Sequence, residues 1–251
     1  MPVIGAAPVR AVQTRIRERW ESQANLSFFL CLLVVVAFVF PSLGIGTSDL
    51  PLYSDVTFTL VALSGVAIAR GQPHLFASAV FVGAIAVMAC WIASSTPSIP
   101  WLLTADASHI AFTLLLVIVL LNQVFRQGHV THIRIQGAVA AYVLLGLGWA
   151  HVYHIVDILH PGSFSITNGS PLDIGDCLYF SFITLGTVGY GDITPVRQVA
   201  RSLATSEALT GQLYLAILIA RLVGMELVSW QARLGVDPET AVPPTSAVTH
   251  D

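Results

Sequence analysis

Long apolar segments, separated by short polar links, follow one another through most of this sequence. A hydrocarbon core about 30 Å thick requires roughly 20 apolar residues per helix. Charged residues make up only 10% of the chain and hydrophobic residues 55%, whereas soluble domains contain roughly 25% charged residues. The sequence therefore predicts an all-α integral membrane protein, with little length left for a large soluble domain. Six membrane-spanning helices are predicted, at about residues 26–43, 52–69, 75–93, 101–125, 135–158 and 198–225.

The positive charge is carried entirely by arginines, which predict the orientation of the spans. With the N-terminus in the cytoplasm, every arginine lies at or near the cytoplasmic face except Arg197 and Arg201. We predict no signal peptide, and cytoplasmic termini in a prokaryotic inner or plasma membrane. The net charge of −3 gives no electrostatic basis for binding nucleic acid. Cys31, Cys90 and Cys177 lie in apolar segments without disulfide or zinc spacing.

A glycine-rich stretch at residues 184–195 interrupts this pattern. It lies between an apolar segment at 172–185, which is too short to cross a bilayer, and the last predicted span. A phosphate-binding loop would require a preceding strand in a soluble βαβ unit, and a simple glycine-rich turn is the other alternative. Irregular backbone at membrane depth is tolerated only where protein buries it or where it lines an aqueous path. The stretch therefore predicts a re-entrant loop that lines a pore.

The six residues from Thr187 to Asp192, Thr-Val-Gly-Tyr-Gly-Asp, resemble the selectivity filter of potassium channels. In such a filter, backbone carbonyls replace the water shell of K⁺, and glycine permits the left-handed dihedrals that turn successive carbonyls inward. The resemblance covers about residues 135–226 and implies passive K⁺ conduction by a homotetramer in lipid, with no enzyme activity and no cofactor beyond permeant K⁺. The filter would open to the exterior. The residues implied to bind K⁺ are Thr187, Val188, Gly189, Tyr190 and Gly191.

The resemblance also implies roles for residues around the filter. The segment 176–184 is similar to the pore helix, where Tyr179 and Phe180 take the place of an aromatic pair that cuffs the filter. Gly211, twenty residues after Gly191, matches a hinge glycine, although close helix packing explains a small residue equally well. Gly186 departs from the family, which commonly has Thr or Ser there. The predicted filter-supporting residues are Tyr179, Phe180, Ser181, Thr184, Asp192 and Glu207.

Glu207 is the acidic residue deepest in the last predicted span. An ionisable group at that depth is costly and is by default a functional candidate. We predict that Glu207 packs behind the filter and hydrogen-bonds Ser181 or Thr184. The alternative is a neutral carboxylic acid that only bridges two helices.

The apolar segments, together with the resemblance of the pore region, divide the chain into four predicted parts. They are a cytoplasmic leader (1–25), a four-helix membrane region without voltage-sensor charges (26–130), a potassium-channel pore module (131–228) and a disordered cytoplasmic tail (229–251). The fourth span contains no arginine, so steep voltage gating is not expected.

Histidines and aspartates give a second candidate site. Asp106 and His109 lie one turn apart in the fourth span and could pair in the outer leaflet, either in a structural role or as part of an ion path. Near the outer end of the fifth span, a three-residue spacing predicts a shared helix face. That face is either an external proton or metal sensor or a polar rim satisfied by neighbours and water. Its residues are His151, His154, Asp157 and His160.

Other functions are consistent with parts of this pattern. They are a nonselective cation channel, a subunit of a potassium uptake system, and a non-conducting membrane sensor or scaffold. Uptake systems usually carry four degenerate loops in one chain, and nonselective relatives often replace the tyrosine found here at position 190.

Overall fold

In a computed structural model of the chain, the structure describes residues 24–39, 51–126, 131–167 and 172–234. The predicted leader up to residue 23, the end of the first predicted span and the tail from residue 235 lie outside this part. Helices make up almost all of the described regular structure. They are α1 Ala24–Val39, α2 Pro51–Ala69, α3 Pro73–Ser95, α4 Ile99–Val124, α5 His132–Leu159, α6 Ile174–Leu185 and α7 Gln198–Leu234.

Four of the described helices have the length and composition to cross a membrane. They are α3, α4, α5 and the part of α7 from Gln198 to Val228. α1 and the apolar part of α2, Val56–Ala69, are shorter apolar helices. The prediction of an all-helical membrane protein is supported, and four of the six predicted spans have spanning length. α6 has 12 residues and is too short to cross, as predicted.

The largest buried cluster among the described residues joins helices α1 to α5. Phe29 of α1, Val61 of α2, Phe112 and Leu116 of α4, and Leu144 of α5 are among its members. Small residues permit close approach in apolar surroundings. A Cβ on Gly65 would lie 2.6 Å from Leu116, for example. α5 also packs on α6, so it connects this bundle with the glycine-rich loop.

A short antiparallel pair of strands fixes the chain on either side of that loop. β1, Phe164–Ile166, follows α5, and β2, Ile193–Pro195, forms the end of the glycine-rich stretch. Phe164 lies opposite Pro195 and Ile166 opposite Ile193. The pairing ties the connection after α5 to the far end of the loop.

The prediction that the chain is disordered from residue 229 is wrong for residues 229–234. α7 continues as one helix to Leu234. The sequence from Ser229 to Leu234 contains no glycine or proline, and Gly235 follows directly. A change to polar residues ends an apolar span, but it does not end a helix whose residues still favour helical backbone.

Candidate ion-conduction site

α6 begins at a reciprocal cap that its sequence specifies. The Asp176 amide donates to Asp173 Oδ1 at 2.7 Å, and the Asp173 amide donates to Asp176 Oδ2 at 3.2 Å. This capping box satisfies amides that the first helical turn leaves unpaired. The helix ends at Leu185, with Gly186 as its C-cap. The capping box fixes the start of α6, and Gly186 ends the helix directly before the loop.

The backbone of the loop takes left-handed dihedrals at alternate residues. The φ angles are +56° at Thr187, +55° at Gly189 and +81° at Gly191. Glycine adopts such angles without a Cβ clash, whereas a β-branched residue rarely does. The alternation that the sequence predicted for a carbonyl-lined filter is therefore present.

The amides of the loop turn back toward the end of α6. The amides of Val188 and Gly189 donate to the Ile183 carbonyl at 2.8 and 3.1 Å, and the Thr187 amide donates to the Thr184 carbonyl at 3.0 Å. In a trans peptide the N–H and the preceding C=O point in opposite directions. The carbonyls of Gly186, Thr187 and Val188 therefore point away from α6, toward the exposed side of the loop.

Asp192 is anchored at the far end of the loop. Its Oδ2 accepts a hydrogen bond of 2.7 Å from the Tyr179 hydroxyl, and its Oδ1 accepts one of 3.1 Å from the Ile193 amide. The hydrogen bond from Tyr179 lowers the pKa of the Asp192 carboxyl, because it favours the charged form. Thr167 donates through its amide and its hydroxyl to the Asp192 carbonyl.

Glu207 is fully buried behind the loop. Its Oε1 lies 2.5 Å from Ser181 Oγ, and its Oε2 accepts a hydrogen bond from the Tyr153 hydroxyl. The predicted contact with Ser181 is confirmed. Thr184, the other predicted partner, instead accepts the Thr187 amide through its carbonyl. Glu207 thereby joins α7 to α5 and α6.

The single hydrogen of the Ser181 hydroxyl has two acceptors within reach. Ser181 Oγ lies 2.8 Å from the Gly146 carbonyl as well as 2.5 Å from Glu207 Oε1. A hydroxyl can donate only one hydrogen bond. Both contacts are hydrogen bonds at once only if Glu207 is protonated and donates to Ser181. This geometry fits a neutral carboxylic acid.

Two further contacts on the inner side of the loop were not predicted. The Gln212 side chain donates to the Thr187 hydroxyl at 3.2 Å, and the Tyr142 hydroxyl donates to the Leu185 carbonyl at 3.1 Å. Gln212 follows Gly211, where a Cβ would overlap the same Leu185 carbonyl. Gly211 thus allows close packing of α7 on α6, and its role as a hinge stays a prediction.

The predicted aromatic pair divides between two places. Tyr179 reaches Asp192, as described above. The Phe180 side chain does not reach Asp192. It lies in a buried cluster, with its ring centroid 5.0 Å from that of Tyr153 and 5.4 Å from that of Phe164. Neighbouring helical residues point about 100° apart, so one of the two faces the strand pair. Within one chain Phe180 belongs to this cluster, and its role around the filter stays a prediction.

Asp106 of α4 forms its contacts with histidines of α5, which differs from the prediction. Asp106 Oδ1 lies 2.8 Å from His151 Nδ1, and Asp106 Oδ2 lies 2.7 Å from His154 Nδ1. The expected pair of Asp106 with His109 does not form, and both ring nitrogens of His109 are buried without a hydrogen-bond partner among the described residues. The His109 ring packs instead on Phe58, at 3.9 Å between centroids.

The four-residue face predicted on α5 is also only partly correct. Steps of three residues turn a helix by about 300°, so each step drifts about 60° around the axis. His151 and His154 reach Asp106, whereas His160 lies exposed beyond the end of α5.

Comparison with known proteins places a family match on this part of the chain. Residues 141–226 match a family model described as ion channel. Over 67 residues the chain is 39% identical to the two pore potassium channel c of Oryza sativa subsp. japonica, which covers 27% of this chain and 15% of that protein. Over 87 residues it is 37% identical to Protein LctB of Bacillus caldotenax, covering 33% of this chain and 64% of that protein.

A third similar protein is the inward rectifier potassium channel Kirbac3.1 of Paramagnetospirillum magnetotacticum. The identity is 34% over 74 residues, which covers 30% of this chain and 22% of that protein. The chain spans less than two thirds of the length of each of these relatives. No solved structure matches the chain significantly. Residues 141–226 are thus similar to ion channels. The apolar helices and this match together support an integral membrane protein, and the matched family is one of channels rather than of enzymes.

Proposed function

We propose that this protein conducts K⁺ passively and selectively across a membrane, through a filter formed by residues 187–191. The observation that carries the proposal is the left-handed backbone at Thr187, Gly189 and Gly191. Together with amides that bond to the end of α6, these dihedrals leave successive carbonyls free on one side of the loop. Carbonyl oxygens in sequence can replace the hydration shell of a K⁺ ion.

The proposed assembly is a homotetramer, because one chain supplies one such loop and a closed ring of carbonyls needs several. Features of the single chain support it. The side chains of Val188 and Tyr190 are 55% and 73% exposed, although the loop lies between apolar helices. Leu209, Leu213 and Ile217 of α7 are exposed as well, and neighbouring copies and lipid would cover them.

The same proposal assigns roles around the filter. The Thr187 hydroxyl and the carbonyls of Thr187, Val188, Gly189 and Tyr190 bind K⁺. Asp192 and Tyr179 stabilise the outer end of the loop, and Glu207 with Ser181 supports it from behind. The proposed topology has six spans, an outward-facing filter and cytoplasmic termini. No cofactor other than the permeant ion is needed.

A pair of glycine variants tests the filter directly. Gly189 and Gly162 both have positive φ, +55° and +77°, and a Cβ on either would meet no atom within 4 Å. Alanine in left-handed backbone costs about 1–2 kcal/mol, so the two substitutions impose similar strain. Gly162 lies in the loop before β1, outside the filter.

We expect Gly189→Ala to abolish K⁺ flux into liposomes while the protein still assembles with a mass four times that of the 26.8 kDa chain. Gly162→Ala should assemble and conduct like the parent. Equal flux through both variants would contradict the proposal, and equal uptake of Na⁺ and K⁺ by the parent would favour a nonselective cation channel.

A further inference from the structure

A buried cluster of one carboxylate and three imidazoles lies between α4 and α5. Asp106 is about 10 Å along α4 from its first residue, and His151 is about 12 Å from the last residue of α5. Asp106 and His109 are buried, within helices that have spanning length. Ionisable groups at such depth are costly and usually have a function. The filter described above uses none of them.

The spacing of the ligand atoms suits a metal ion. One ligand atom from each of Asp106, His109 and His151 lies within 4.8 Å of the other two. With zinc bonds of about 2.0–2.2 Å, tetrahedral ligands lie roughly 3.4 Å apart. A movement of up to about 1.4 Å between α4 and α5 side chains would therefore bring the ligand atoms to this spacing. Imidazole nitrogen with carboxylate oxygen is a donor set that Zn²⁺ and Co²⁺ accept.

His109 gives an independent indication of a ligand. Both of its ring nitrogens are buried and have no hydrogen-bond partner among the described residues. Its ring is fixed between Phe58 and His151, with centroids 3.9 and 4.6 Å away. A buried polar atom without a partner is unfavourable, and a metal bond to one ring nitrogen would satisfy it. If the cluster served only to hydrogen-bond α4 to α5, the His109 imidazole would contribute no hydrogen bond to it.

Asp106 orients the other two imidazoles. Its carboxylate oxygens lie 2.8 and 2.7 Å from the Nδ1 atoms of His151 and His154. Metal ligands must be deprotonated, so a cation that enters the site would replace the hydrogens of these contacts and bind the carboxylate oxygens and the Nδ1 atoms that they join. The side chains of His151 and His154 are 18% and 22% exposed, which gives an ion a route to the buried residues.

We propose that Asp106, His109, His151 and His154 form a binding site for a divalent transition metal of the Zn²⁺ type, separate from the K⁺ filter. The site does not depend on the proposed conduction. It does lie close to the filter support, because Tyr153, between His151 and His154 on α5, binds Glu207. Metal-driven closure of α4 on α5 would act on the turn that carries Tyr153.

Metal binding is measured on the full chain in detergent, after chelator treatment and reloading with Co²⁺ or Zn²⁺ alone. We expect one Co²⁺ per chain with the visible absorption of a four-coordinate site, displacement of Co²⁺ by Zn²⁺, and a higher melting temperature with either metal. His109→Phe should keep the fold, since its ring packs on Phe58 and loses only unpartnered nitrogens. It should lose the Co²⁺ spectrum and the metal-dependent stabilisation.

A second variant and a control complete the test. His151→Gln keeps an N–H donor for Asp106 but removes the imidazole ligand, and we expect at least 10-fold weaker Co²⁺ binding. His160→Gln, an exposed change on the same stretch of chain, should bind Co²⁺ like the parent. The proposal is overturned if the parent binds no Co²⁺, or if His109→Phe and His151→Gln bind it with the affinity of the parent. Neither outcome bears on K⁺ flux, so the two proposals fail separately.

Discussion

Thr187 takes a backbone conformation that its side chain opposes. A β-branched residue with a φ of +56° is strained, and such strain persists only where surrounding contacts impose it. Two hydrogen bonds do so here. The Thr187 amide donates to the Thr184 carbonyl, and the Gln212 side chain donates to the Thr187 hydroxyl. Strain of this kind at a single residue is typical of a site whose geometry serves function.

The carboxyl of Glu207 offers a test of filter support. Glu207→Gln keeps an oxygen and an N–H for Tyr153 and Ser181, so we expect nearly parental stability. Glu207→Ala leaves the buried Tyr153 hydroxyl unpaired, which should lower the free energy of unfolding by about 1–3 kcal/mol. Denaturant unfolding checks this, with Gln231→Ala on the exposed end of the same helix as control.

The same variants distinguish a Glu207 that supports the filter from a carboxylic acid that only bridges two helices. If Glu207 supports the filter, single-channel recording should show altered open probability for Glu207→Ala and, where the protonation state matters, for Glu207→Gln. The support role is wrong if both variants assemble and gate like the parent from mildly acidic to mildly alkaline pH.

The hydrogen bond between Tyr179 and Asp192 predicts a pH dependence at the outer end of the filter. The pKa of Asp192 in the folded protein lies below its ordinary value of 3.8. Stabilisation from the bond is therefore fully present above pH 3.8 and is lost as the pH falls through the lower, folded pKa. Tyr179→Phe removes the bond at every pH. We expect this variant to have a lower open probability at neutral pH and a weaker response to acid than the parent.

A double-mutant cycle checks that the effect belongs to this pair. If Tyr179 acts through Asp192, then adding Tyr179→Phe to Asp192→Ala should change the open probability little. Additive effects of the two substitutions, or a Tyr179→Phe variant with the acid response of the parent, would show that the bond has no such role.

At the level of helices, apolar runs and the polar links between them predicted the positions of most helices. The apolar runs gave the positions of α3, α4 and α5, and Pro73 and Pro100 lie in the first turns of α3 and α4, as expected for proline. The strands β1 and β2 were not predicted, since three residues are too few for an alternating pattern.

Contacts between helices were harder to predict than the helices. Periodicity assigns a residue to a face of its own helix, but it does not fix which residue of another helix lies opposite. Glu207 was matched correctly to Ser181 because the resemblance supplied the register of the last helix and the pore helix. No such register was available for α4 against α5, and Asp106 therefore found partners 45 and 48 residues away instead of His109.

Packing between α6 and α7 is tested by two glycines of the same helix. A Cβ on Gly211 would overlap the Leu185 carbonyl, whereas a Cβ on Gly224 would meet no atom within 4 Å. We expect Gly211→Ala to destabilise the protein by about 1–3 kcal/mol, because α7 must move away from the end of α6. Gly224→Ala should be neutral or stabilising by roughly 0.5–1 kcal/mol.

Thermal or denaturant unfolding in one detergent compares these variants. If both alanines have the same effect on the free energy of unfolding, the close approach at Gly211 does not limit packing. A folded Gly211→Ala protein that retains parental conductance would also weaken the case for a hinge at this position.

Across the whole molecule, α5 connects the two regions that carry chemistry. One side of its C-terminal half contributes His151 and His154 to the cluster with Asp106, and Tyr153 on another side binds Glu207 behind the glycine-rich loop. The proposed filter is incomplete in one chain, since the side of the loop toward which its carbonyls point is exposed. The sequence could indicate the filter because six consecutive residues specify it, whereas the cluster depends on tertiary contacts that only the fold brings together.

The reversal potential of single channels in a planar bilayer, with K⁺ on one side and Na⁺ on the other, tests the central claim most directly. The carbonyl geometry of residues 187–191 predicts a reversal potential near the K⁺ equilibrium value, carried by the tetrameric fraction of the purified protein. A reversal potential near zero would contradict K⁺ selectivity, and the absence of any current from tetramers would contradict conduction itself.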